Sequence, residues 1–207
     1  MRRTRGFVLR PDVASAGSGT GRPRWSPVPV RTIPFTGRGD GIMASEAFKA
    51  WYVQGLQAVK TAADQGQAAS SHAQAQGVPP EVKTIMEGGA KVFGQHAEAL
   101  GRLLQGAGAS PGSMPNAFMD GIQKGSQQMI QAAQDPGVRE ASVVAAAQIA
   151  THYFIAAYGT LASNAKHLGL TEDAATLKGM ADEMKAADQH MTGIAETMAN
   201  ARASSAS

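Results

Sequence analysis

The stretch that decides the fold is residues 135–169, DPGVREASVVAAAQIATHYFIAAYGTLASNAKHLG. It opens with Asp135, which can cap a helix, and Pro136, which suits the first helical position. It ends at Gly169, a residue type that is common just past a helix C-terminus. Ala and other good helix formers dominate the sequence between these signals. The stretch therefore predicts one long helix over about residues 136–168.

The chain on either side of this stretch has the same helical character from Met43 onward. Ala makes up 37 of these 165 residues. Apolar residues at helical spacing predict a first helix over about residues 45–76 with Ser45 as its N-cap, a second over about 80–106 and a short third over about 116–134. The third helix is expected to present Phe118, Ile122, Met129 and Ala133 on one face. Thr171 is expected to cap a fifth helix, along which Leu177, Met184, Met191 and Met198 recur every seven residues.

Four long helices and one short helix in a long connection predict an all-α fold, a four-helix bundle with a crossover as in ferritin-like proteins. The stretch 141–165 contains no Asp, Glu, Lys or Arg and is long enough to span a bilayer. Its polar residues, among them Gln148, Thr151 and His152, favour the central helix of a soluble bundle instead. We therefore expect a cytoplasmic protein without membrane insertion.

Residues 1–42 differ in composition from the rest. They contain eight Arg, no Lys and two Asp, a net charge of +6, whereas residues 43–207 contain eight Lys and three Arg against 14 acids, a net charge of −3. This leader is rich in Pro and Gly and has no apolar period, so it is predicted to be disordered. It lacks the apolar core of a secretory signal.

Three interpretations of the leader remain open. A basic disordered arm could bind nucleic acid or an anionic membrane through its Arg residues. An Arg-rich, acid-poor stretch also suits an organellar transit peptide, although its prolines oppose the amphipathic helix that such a peptide needs. The third interpretation is a wrongly assigned start codon, with translation beginning at Met43, where the helical pattern starts. The bundle itself, with a net charge of −3, is not expected to bind nucleic acid.

A family resemblance appears in the second half of the chain. The segment PGVREASVVAAAQ at 136–148, His152-Tyr153, AYGTL at 157–161, HLGL at 167–170 and DEMKAAD at 182–188 resemble the C-terminal half of the bacterial YciE/YciF family of ferritin-like proteins. Upstream, Lys60, His96 and the segment 121–125 fall where the family pattern would put them. The resemblance implies a helical bundle, often dimeric, bacterial, cytoplasmic and linked to stress responses, without an established reaction.

The resemblance also implies carboxylates and a His on inward faces of the long helices, where they would hold two metal ions. At the aligned positions this chain lacks those acids, although it retains His96. The residues found there instead are Val59, Val92 or Phe93, Thr151, Phe154 and Met184, with Gln123 and Lys124 on the crossover helix. A di-iron or di-manganese centre needs about four carboxylates to balance its charge. We therefore predict that no such centre forms and that His96 is a hydrogen-bonded core residue.

The functional hypothesis is a metal-free structural or interaction protein with no catalytic residue and no cofactor. We expect a homodimer or higher homo-oligomer, and the sequence does not identify any other protein partner. Small-residue faces around Gly88, Gly89 and Gly94 are expected to allow close helix approach in a dimer.

The alternative is a ferritin-like protein that uses Fe or Mn for peroxide or oxygen chemistry through a remodelled site. Its candidate ligands are His96, His152, Glu183 and Asp188. His152 is expected to form a buried polar pair with Asp188 or Glu183. The absence of Cys excludes disulfides, thiolate metal sites and Cys nucleophiles.

Overall fold

The structure, a computed structural model, describes residues 46–74, 80–110, 112 and 114–205. Its helices are α1 (Glu46–Gln74), α2 (Pro80–Gly106), α3 (Ala117–Ala132), α4 (Pro136–His167) and α5 (Thr171–Ile194). A π-helical turn, Ala195–Ala199, and the short helix α6, Asn200–Ser204, follow α5 directly. The leader at 1–42, the start at Met43 and the Ser45 cap lie outside the described residues.

The four long helices form two hairpins that pack into a bundle. Helix α1 lies along α2, α4 lies along α5, and α3 crosses against α4 in the connection between the hairpins. The main core lies between the hairpins and takes its large side chains from all four long helices, among them Tyr52, Leu56, Leu100, Phe154, Tyr158 and Leu177. The predicted all-α, ferritin-like bundle with a crossover helix is confirmed.

The local signals around α4 act as the sequence predicts. Oδ1 of Asp135 accepts hydrogen bonds from the backbone N–H groups of Gly137, at 2.7 Å, and Val138, at 3.0 Å. Pro136 occupies the first turn. Gly169 has a φ of +76°, the left-handed conformation that ends a helix and that glycine adopts without strain. The helix is therefore fixed at both ends by local chemistry.

The start and end of α5 differ from the prediction. The N-cap is Leu170, which makes no side-chain capping hydrogen bond, and Thr171 is the first helical residue. The hydroxyl of Thr171 therefore does not cap the helix. The seven-residue repeat also meets the π-helical turn at Ala195, so that Met198, its last member, is only partly buried. One extra residue per turn rotates the later side chains off the predicted stripe.

The predicted inward face of α3 is wrong at Phe118, whereas Ile122 packs against the core and Ala133 is buried as expected. Phe118 is 78% exposed, whereas Met119 is 1% exposed. The cause is Asn116, the buried N-cap of α3, whose amide donates to the backbone carbonyl of Ala58 and to the hydroxyl of Tyr153. Its side-chain oxygen accepts from the N–H of Met119. These bonds fix the rotation of α3 about its axis and turn Met119 into the core.

The glycine face that was expected to serve a dimer is mostly used within the chain. A Cβ atom on Gly94 would lie 2.7 Å from Nε2 of Gln67, and one on Gly89 would lie 3.2 Å from Oγ of Ser70. Both glycines therefore allow α2 to approach α1. Gly88 alone of the three faces open space, so Gly89 and Gly94 serve the packing of α2 on α1, and a dimer through this face stays a prediction.

Two glycine substitutions, one within α4 and one just past its end, should change stability in opposite directions. Gly169→Ala forces a left-handed residue to carry a Cβ and should lower the free energy of unfolding by about 1–2 kcal/mol. Gly159→Ala, at an exposed helical position with no atom within 4 Å of the new Cβ, should raise it by about 0.5–1 kcal/mol. Urea unfolding monitored by circular dichroism measures both. Equal effects of the two changes would contradict the helix end described here.

Candidate functional site

Apolar side chains fill the centre of the bundle, where the family resemblance implies metal ligands. Val59, Phe93, Phe154 and Met184 all belong to the main core, and each is 8% exposed or less. The ring centroids of Phe93 and Phe154 lie 4.8 Å apart. None of these four side chains carries an oxygen or nitrogen atom that could bind a metal ion.

The polar residues at the other aligned positions are engaged elsewhere. The hydroxyl of Thr151 donates to the carbonyl of Ala147 one turn earlier in α4, at 2.9 Å. The amide of Gln123 donates to the carbonyl of Gln65, and Lys124 is exposed. None of these side chains offers a carboxylate to the core.

His96 is buried, with 3% of its surface exposed, and it carries the imidazole of this region. Its Nδ1 lies 3.2 Å from the hydroxyl of Tyr158 on α4, and its Nε2 lies 3.0 Å from a carboxylate oxygen of Glu183 on α5. The carboxylate can only accept, so Nε2 carries the proton and Nδ1 accepts from Tyr158. The prediction that His96 is a hydrogen-bonded core residue is confirmed.

Burial controls the protonation of this trio. Loss of water around the ring lowers the pKa of His96, against the opposing effect of the Glu183 carboxylate. Burial also raises the pKa of Tyr158, which is fully buried, and the nearby Glu183 charge adds to the effect. At neutral pH Tyr158 is therefore a neutral phenol and His96 a neutral imidazole.

The other two candidate ligands form a separate pair. Nε2 of His152 lies 3.2 Å from Oδ1 of Asp188. The side chain of His152 is 66% exposed, so the pair with Asp188 forms as expected but is not buried. Within the described residues, no group of three or more His, Asp or Glu side chains is placed to hold a metal ion. His96, Glu183, His152 and Asp188 are thus two pairs rather than one cluster.

The donor set does not fit the di-metal centre that a ferritin-like fold implies. Such a centre needs several carboxylates that converge with imidazole on two cations. Here one buried imidazole is present, its nearest carboxylate belongs to an exposed Glu183, and the facing positions are apolar. Two metal ions at this place would be left without the negative charge that stabilises them.

A second buried polar contact, between α4 and α6, lies beside a cavity of about 1610 Å³ that α1 to α5 and the C-terminal segment all line. The lining includes Phe93, Thr151 and Met184 of the bundle centre. Glu140 is 5% exposed, and both its carboxylate oxygens accept from Nη1 of Arg202, at 2.9 and 3.1 Å. Nη2 of Arg202 also lies 3.5 Å from Glu81. Sequence reasoning missed this contact because Glu140 and Arg202 are 62 residues apart and no local pattern joins them.

Comparison with known proteins identifies the family. Residues 47–204 match the family model described as domain of unknown function DUF892. The chain belongs to this family. It is 39% identical to the protein YciF of Escherichia coli over 85 residues, which are 41% of this chain and 51% of YciF. The aligned segment thus spans about half the length of that relative, and the predicted YciE/YciF membership is confirmed.

Solved structures agree with this assignment at the level of the fold. The E. coli stress protein YciF superposes with a TM-score of 0.70 at 24% identity, covering 75% of this chain and 99% of YciF. YcfI of Rhodopseudomonas palustris gives a TM-score of 0.67 at 23% identity, covering 75% and 98%. A ferritin-like diiron-carboxylate protein of Bacillus anthracis gives 0.58 at 15% identity, covering 73% and 99%.

The lowered pKa of His96 predicts a loss of stability in acid. A His whose pKa is lower in the folded state than in the unfolded state, about 6.5, binds its proton more readily when unfolded. The neutral His96 ring therefore contributes fully to the stability of the fold above a pH of about 6.5, and this contribution is lost as the pH falls below that value. The melting temperature of the wild type should therefore fall more between neutral and mildly acidic pH than the melting temperature of His96→Gln. Parallel pH profiles for the two proteins would contradict a neutral buried imidazole.

Proposed function

We propose that this protein is a non-catalytic, metal-free ferritin-like structural or interaction protein, which acts as a homodimer in the bacterial cytoplasm and has a stress-related role. The observation that supports it is the packing of Val59, Phe93, Phe154 and Met184 at the centre of the bundle. Two relatives are described as a stress protein and as a candidate structural protein. These descriptions support the proposal at the level of the family.

The chemistry of the bundle centre explains why metal binding is not proposed. A carboxylate buried without a partner is costly, whereas Phe, Val and Met stabilise the core through apolar burial and close packing. The rings of Phe93 and Phe154, at 4.8 Å, occupy the space between α2 and α4. Two cations beside these rings would meet apolar side chains instead of carboxylates.

Metal content tests this proposal directly. The full chain, purified without chelator and again after anaerobic incubation with Fe(II) and Mn(II), should contain close to no metal by mass spectrometry, because apolar side chains replace the ligands. About two metal ions per chain would overturn the proposal. If metal is found, His96→Ala and His152→Ala measured separately will show which of the two pairs holds it.

The exposed side of α4 supports the proposed homodimer. The stretch 141–165 has no charged residue, yet Ile149 is 50% exposed and Val138 is 39% exposed. Helix α4 is the described helix that is long and apolar enough to cross a membrane, a test that core helices of soluble proteins also pass. Only 28% of the most apolar 18 residues of α4 are buried within the chain. An uncharged helix face of this length is suited to packing against the same face of a second copy.

A charge placed on this face should separate the dimer. In Ile149→Glu the two symmetry-related carboxylates would be brought together and desolvated, at a cost of several kcal/mol of association free energy. Light scattering coupled to size-exclusion chromatography should therefore show a monomer. Gln128→Glu, an exposed change of the same charge on α3, is the matched control and should leave the dimer intact. A monomeric wild type at micromolar concentration would refute the dimer.

A further inference from the structure

The trio of Tyr158, His96 and Glu183 forms a continuous hydrogen-bonded path from the core to the surface. Tyr158 is fully buried and its hydroxyl lies 3.2 Å from Nδ1 of His96. Nε2 of His96 lies 3.0 Å from Glu183, whose side chain is 63% exposed. A proton that leaves the phenol therefore has an acceptor at contact distance, and a carboxylate beyond it balances the new charge.

We propose that Tyr158 is a one-electron oxidation site whose phenolic proton moves to Nδ1 of His96. The oxidant is a small oxidising radical, such as an organic peroxyl radical. It takes one electron from the phenol and, with a proton from solvent, leaves as the hydroperoxide. At the same time the O–H bond of Tyr158 breaks and an N–H bond forms on His96. The products are a neutral phenoxyl radical and an imidazolium that is paired with Glu183.

The surroundings of Tyr158 favour this step and protect its product. Burial raises the pKa of the phenol, so that it does not ionise before oxidation, and lowers the pKa of His96, so that Nδ1 is free to accept. A radical without solvent contact cannot couple to a second protein or be quenched readily by water-borne reductants. The trio therefore combines a proton acceptor with shielding.

An aromatic path connects Tyr158 toward the surface. The centroids of Tyr158 and Phe154 are 5.5 Å apart, and those of Phe154 and Tyr153 are 5.3 Å apart. Tyr153 is only partly buried and accepts a hydrogen bond from the amide of Asn116. In the part of the chain that the structure describes, Tyr153 has no basic side chain as a hydrogen-bond partner. If Tyr153 is oxidised first, transfer of an electron from Tyr158 to Tyr153 is therefore favourable, and the radical comes to lie on Tyr158.

The third tyrosine provides the competing site. The hydroxyl of Tyr52 donates to Asp173 at 2.9 Å, and Tyr52 is also fully buried. Proton transfer from Tyr52 would neutralise the Asp173 carboxylate, whereas proton transfer from Tyr158 gives an imidazolium that the Glu183 carboxylate, 3.0 Å from Nε2, stabilises. Loss of the electron is therefore easier at Tyr158 than at Tyr52, although both phenols are hydrogen-bonded.

Photo-oxidation of the full chain tests the proposal. Ruthenium(III) trisbipyridine, generated by a light flash with a cobalt(III) quencher, supplies the one-electron oxidant, and electron paramagnetic resonance detects the phenoxyl radical. The wild type should give a persistent phenoxyl signal. Tyr158→Phe should lose it, whereas Tyr52→Phe, which also removes one buried hydroxyl, should keep it. A signal that is unchanged in Tyr158→Phe would overturn the proposal.

A second variant separates proton transfer from a purely structural hydrogen bond. His96→Gln can still accept a hydrogen bond from Tyr158, but an amide is not a base that can take the proton. The radical should form more slowly and decay faster in this variant, and the deuterium isotope effect of the wild type should disappear. Equal formation and decay in His96→Gln and wild type would show that His96 only orients the phenol, which would refute the proposal. Circular dichroism verifies that each variant is folded. Because the oxidant is added and no bound metal takes part, the outcome is independent of the metal analysis.

Discussion

The burial of His96 is the constraint on which the arrangement of the helices depends. An imidazole that is 3% exposed has two nitrogens to satisfy. Its partners are Tyr158 on α4 and Glu183 on α5, so one residue of α2 is joined to both helices of the opposite hairpin. Tyr52 of α1 reaches Asp173 of α5 in the same way. Each of these hydrogen bonds can form only when the two hairpins are aligned in one register. The shape of a core rich in Ala would specify that register poorly by itself.

The sequence predicted those parts of the fold that depend on neighbouring residues. Asp135 and Gly169 delimit α4 because a cap and a left-handed residue act within one turn of the chain. Helix α2 begins at Pro80 and ends at Gly106, as its apolar spacing predicts. Phe118 and Met119 were exchanged because the rotation of α3 is set by bonds from Asn116 to Ala58 and Tyr153, which are distant in sequence.

The candidate site was predicted only in part for the same reason. The positions Val59, Phe154 and Met184 were expected to be apolar core, and they are. That His96 would meet Tyr158, 62 residues away, and Glu183, 87 residues away, follows from the packing of three helices and from no local pattern. The four candidate ligands were treated as one set, yet helix geometry divides them into two pairs. Residue types alone do not specify which of several acids and imidazoles come together.

The two ends of the bundle are stabilised in different ways. Near Phe93, Phe154 and Tyr158, aromatic rings pack directly against each other and leave little freedom. Toward the C-terminal segment, the cavity, which Phe93 also lines, borders a smaller apolar cluster. This cluster provides less apolar contact and consists of Val82, Met86, Val143, Val144, Met191 and Ala199. There the C-terminal segment is held by Arg202, which contacts Glu140 and Glu81, and by Gly137, where a Cβ would lie 3.1 Å from the backbone of Arg202. Because Glu140 is buried and charged, release of Arg202 would leave it without a partner, at a cost that opposes opening of this end. The ion pair thus supplies at the open end the stability that aromatic packing supplies around His96.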